Sequence, residues 1–142
     1  MSHARPSPPS GLAALVALGL ACACGPSAEA EEAARVKRAI DALREANAEA
    51  DARGALVSQL DQLPTKGTLA SAAKRSCVDA FRALGEATRL ERKATAGLEP
   101  GSKVPAVEVL EAADGAKRLV QEAEARMPAC EKAYSDLARA FR

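Results

Sequence analysis

From Ser27 to the C-terminus, apolar positions recur every three or four residues, the spacing that sets side chains on one face of a helix. Val36, Ile40, Leu43, Asn47, Ala50, Gly54 and Val57 form a seam of alternating steps of four and three. They predict a first helix from about Ser27 to Leu63, with Leu60 and Leu63 drifting off the seam. Ala70, Ala73, Cys77, Phe81, Leu84, Ala87, Ala94 and Leu98 predict a second helix, from about Thr68 to Leu98. Val120, Ala123, Met127, Cys130, Tyr134, Leu137 and Phe141 mark a third, which starts near Pro105 and runs to the C-terminus.

The ends of these segments carry the expected punctuation. Ser27 suits an N-cap, and Glu29, Glu31 and Glu32 suit the positive end of a helix dipole. Pro64-Thr65-Lys66-Gly67 and the stretch from Pro100 to Pro105 interrupt the pattern. Thr68 is a candidate cap, Pro105 fits a first-turn position, and Pro128 should kink the third helix. Short connections require antiparallel neighbours. The expected fold is therefore all-α, an up-down-up antiparallel three-helix bundle. Its competitor is a pair of long helices in an extended hairpin or an oligomeric coiled coil. Composition supports helices throughout: Ala, Leu, Glu, Arg and Lys dominate, and β-branched residues are too scattered for a strand.

Gly11–Cys24 breaks this amphipathic pattern. It is an uncharged apolar run about as long as a secretory h-region and too short for a membrane span, which needs about 20 apolar residues. Small residues before a cysteine resemble the lipobox of bacterial lipoproteins, whose cysteine is lipidated and becomes the mature N-terminus. Two registers fit. Leu18-Gly19-Leu20-Ala21 precedes Cys22, and Leu20-Ala21-Cys22-Ala23 precedes Cys24. Cys24 is favoured because Gly25-Pro26-Ser27 then forms a short tether. Ordinary signal-peptide cleavage after Ala21 or Ala23 is the alternative. The chain thus divides into a leader and lipidation site (1–24), a tether (25–30) and a helical-bundle domain (31–142).

The resemblance implies a membrane partner through an N-terminal lipid and a place in the bacterial envelope. The residue after the lipidated cysteine would be Gly25 or Ala23. Neither is the aspartate that retains many such lipoproteins at the inner membrane, which implies the outer membrane.

Removing the leader changes what chemistry is available. It takes away His3, the only histidine, and one of the 20 Lys+Arg, leaving 19 basic residues against 19 acidic ones. A balanced surface offers no footprint for nucleic acid. Without histidine there is no Ser-His-Asp or Cys-His catalysis and no His-ligated zinc. With Phe81, Tyr134 and Phe141 as the only aromatics, base-stacking platforms are absent too. No catalytic residue, metal ligand or cofactor is assigned. Glu108, Glu111 and Asp114 have helical spacing and read as a solvated face.

Cys77 and Cys130 remain in the mature body, on two apolar stripes. Counted from the turn near Ser102, antiparallel helices place them within about 5 Å in height. In an oxidising compartment they should pair. Gly54 falls near the same height, where a missing side chain would make room for the bridge. Asn47, the only asparagine, reads either as a register-setting seam residue or as a solvated edge residue.

Arg89, Arg92, Lys93 and Lys103 cluster where an up-down-up bundle would bring them beside the lipidated N-terminus. There they would touch anionic headgroups, or simply complement a helix end and pair with Glu86 and Glu91. The first helix offers more apolar surface than one seam needs, so Leu56, Leu60 and Leu63 are the expected partner-binding patch. The expected function is a non-enzymatic, lipid-anchored binding or scaffolding module, its partner another envelope protein or itself. The alternative is a small-molecule carrier or sensor with a ligand between helices.

Overall fold

A computed structural model describes residues 27–46 and 50–142. Four helices form it: α1 (Ala28–Glu45), α2 (Ala50–Gln62), α3 (Thr68–Gly97) and α4 (Ala106–Ala140). No strand occurs among the described residues, and none of their helices is long and apolar enough to cross a membrane. The all-α expectation holds, but the helix count is four rather than three.

The extra helix comes from the segment 27–63, which is not one rod. As a single helix it would set Glu32 and Lys66 about 50 Å apart. Instead the Glu32 carboxylate accepts hydrogen bonds from the Lys66 N–H (2.9 and 3.0 Å) and the Gly67 N–H (2.9 Å). The chain therefore reverses between α1 and α2, and the order is up-down-up-down. Ala46 already has an extended ψ of 108°. Leu60 and Leu63 drift off the first seam because they belong to a second one, with Leu56 and Val57, which packs on α3. Asn47 lies outside the described residues.

Two caps are supplied from distant parts of the chain. The N-cap of α3 is Gly67, not Thr68, and it has no side-chain hydrogen bond of its own. Glu32 brings a negative charge to that positive helix end from 35 residues away. At the end of α2, Lys74 Nζ donates to the carbonyls of Asp61 and Leu63, both at 3.0 Å. At the start of α1, Ser27 Oγ accepts from the Ala30 N–H at 3.1 Å, as its sequence position suggests.

All four helices surround one core at the base of the molecule. Val36, Ile40 and Leu43 of α1 meet Leu60 of α2, Cys77 and Phe81 of α3, and Cys130 and Leu137 of α4. The Cys77–Cys130 disulfide joins α3 to α4 inside this core, with Cα atoms 4.5 Å apart. α4 continues as one helix through Pro128.

Beyond the base, only α3 and α4 continue. Arg53 at the start of α2 donates to Thr88 Oγ1 at 3.4 Å, which marks the height where the base ends. From Thr88 to Gly97 the hairpin rises about 14 Å further. A small second core of Ala94, Val109 and Ala112 holds it together. Gly97 permits the close approach here, since a Cβ at that position would collide with Val109 Cγ2. Gly101 closes the turn with φ of +88°, a conformation that favours glycine.

Candidate functional site: the tip of the distal hairpin

At 100° per residue, Val109 and Ala112 turn towards α3, so Val107 and Leu110 must point away from it. Val107 is 59% exposed and Leu110 66%, while Leu98 and Val104 in the connecting turn are 76% and 37% exposed. Val120, further along α4, is the remaining large apolar residue left open among the described residues, at 38%. Scattered exposed apolar residues need no explanation, but four gathered at one end form a patch.

The charges around this patch balance. Between Arg89 and Glu111 there are four basic residues (Arg89, Arg92, Lys93, Lys103) and four acidic ones (Glu91, Glu99, Glu108, Glu111). Arg89 forms a forked ion pair with Glu86; its hydrogen bond holds the Glu86 carboxyl below the usual range and raises the guanidinium. Lys93 lies 3.7 Å from Glu108 and links the two helices at the base of the tip.

The structure moves this basic cluster away from where the sequence suggested. The added reversal places the start of α3, not its end, beside the start of α1. The cluster therefore lies towards the end of the molecule opposite Ala28, its α3 members about 32–38 Å along that helix. The patch of Leu56, Leu60 and Leu63 is also corrected. Leu60 is fully buried, and Leu56 and Leu63 pack partly buried against the core. The apolar surplus of the first segment is taken up by the bundle itself. Gly54 does not make room for the disulfide: it is exposed, and a Cβ there would meet open space.

Two further features bear on chemistry. At the base, Tyr134 Oη donates to Asp41 Oδ1 at 2.6 Å, Lys37 Nζ donates to Asp41 Oδ2 at 3.0 Å, and Arg44 stacks 4.1 Å above the Tyr134 ring. Burial pushes the Asp41 carboxyl up, but these hydrogen bonds outweigh it and hold the group below its ordinary range. Both oxygens are engaged, so the cluster clamps α1 to α4. Between α2 and α3 lies an open groove of about 380 Å³, floored by Val57 and Phe81 and widened by Gly54 and Gly85. Arg82 and Arg89 at its rim are already paired, with Asp61 and Glu86. Among the described residues, no group of acidic, cysteine or histidine side chains could hold a metal ion, and Glu108, Glu111 and Asp114 are exposed.

Cys77 and Cys130 are brought together as expected. Cys22 and Cys24 lie outside the described residues. A third seam that begins at Val120 does not reveal the tip: Val120 is exposed, and the buried positions at this end of α4 are Val109, Ala112 and Ala116. A signal was present: neighbouring Val109 and Leu110 cannot both face one partner helix. Leu98 likewise continues the second stripe by spacing yet lies past the end of α3.

No family model, curated protein or solved structure matches this chain.

Proposed function

We propose that this protein is a lipid-anchored component of the bacterial cell envelope that works as a non-enzymatic helical binding module. In this reading the base of the bundle sits next to the anchor and the hairpin tip meets the partner. The observation that carries it is the grouping of Leu98, Val104, Val107 and Leu110 on the tip. A self-sufficient domain gains nothing from keeping such side chains in water; full burial of an exposed one is worth about 1.5–3 kcal/mol, and a partner would recover the exposed part of that for each. The lipobox-like stretch before Cys22 and Cys24 supports the anchor, and Cys24 stands four residues before α1. Gly25 or Ala23 after the lipidated cysteine supports the outer membrane as its location.

Two experiments test the reading. Growth with an alkyne-tagged fatty acid should label the chain, and Cys24→Ser should abolish the label; loss with Cys22→Ser alone would assign the other register. Replacing Val107 and Leu110 with Glu should abolish partner crosslinking in cells while leaving the thermal midpoint unchanged. Crosslinks that survive this change would move the binding surface elsewhere.

The carrier reading rests on the groove beside Phe81. Its openness to solvent and its paired arginines favour it less, because an enclosed site with unpaired polar groups is what holds a small ligand.

A further inference from the structure

We draw no further inference here: the strongest candidate, the exposed apolar patch of Leu98, Val104, Val107 and Leu110 at the tip of the α3–α4 hairpin, already carries the proposed function, and nothing in the structure shows what covers it.

Discussion

α3 and α4 pass through two environments, and the same pair of helices behaves differently in each. In the base they are covered by α1 and α2, their core residues are closed off from solvent, and a disulfide joins them. Long-range polar links hold the cover in place, among them Glu32 to the start of α3, Lys74 to the end of α2, Arg82 to Asp61, Arg53 to Thr88, and Asp41 to Tyr134. In the distal hairpin a three-residue core and the Lys93–Glu108 ion pair join the two helices, and four large apolar side chains face water. Stability is concentrated where four helices meet. Surface available for recognition is concentrated where only two do. A bundle that ends α1 and α2 short of α3 and α4 separates the two tasks along one axis.

The disulfide offers the largest break in this comparison. The bonded cysteines are 53 residues apart in sequence. By loop closure, replacing both with Ser, or reducing the bond, should cost about 4 kcal/mol of unfolding free energy in a urea titration. Because α3 and α4 serve both regions, base and tip should lose protection together in hydrogen exchange. Loss at the tip alone would show that the base holds without the bond.

Next comes a pair of leucines. Leu60→Ala should cost about 3 kcal/mol, since it opens a cavity in the shared core. Leu110→Ala should change stability by less than about 0.5 kcal/mol while weakening partner crosslinking at the tip. Equal costs at the two sites would erase the distinction between base and tip.

Acid should separate the regions further. Backbone hydrogen bonds from Lys66 and Gly67 hold the Glu32 carboxyl below its ordinary value. Hydrogen bonds from Tyr134 and Lys37 do the same for Asp41, against the opposing effect of burial. A carboxyl depressed in the folded state contributes stability that is fully present above its unfolded pKa, about 4. That stability is lost as pH falls through the lower folded value. Below about pH 4, α1 should therefore loosen first, seen as a change in Tyr134 fluorescence before the helical signal falls. Glu32→Gln should reduce this acid sensitivity and lower the thermal midpoint by several degrees at neutral pH.

Gly54→Ala has the smallest expected effect and the opposite sign. Its Cβ would meet open space in a helical position, so it should stabilise the base by about 0.5–1 kcal/mol. A loss of stability there would mean that the groove beside Phe81 is filled by something in the folded protein.

Much of the fold was legible in local patterns. Ser27 caps α1, proline and glycine clusters separate α2 from α3 and α3 from α4, and Cys77 and Cys130 meet at the height their spacing implies. The reversal between α1 and α2 was not legible. No Pro or Gly lies in residues 46–50, and alanines there are as good in a helix as beside one. A continuous seam through Asn47, Ala50 and Gly54 fitted the helical period by coincidence; the drift of Leu60 and Leu63 was the weaker but truer signal. The tip was hidden for a related reason. Alanines at 112 and 116 look like filler in a sequence, yet they face α3 because small side chains let two helices approach closely.

Residue types and their spacing were enough to determine that the chain is helical, where three of its boundaries fall, which cysteines can pair, and that no histidine follows His3. These follow from interactions within a few residues of one another, or from straight-rod geometry. Only the tertiary structure decided that Glu32 caps α3, that Leu60 is core rather than surface, and that the end of α3 lies far from the start of α1. Each of those depends on one chain reversal whose energy is gained between helices, from burial and long-range hydrogen bonds, and leaves no mark on the residues that make the turn.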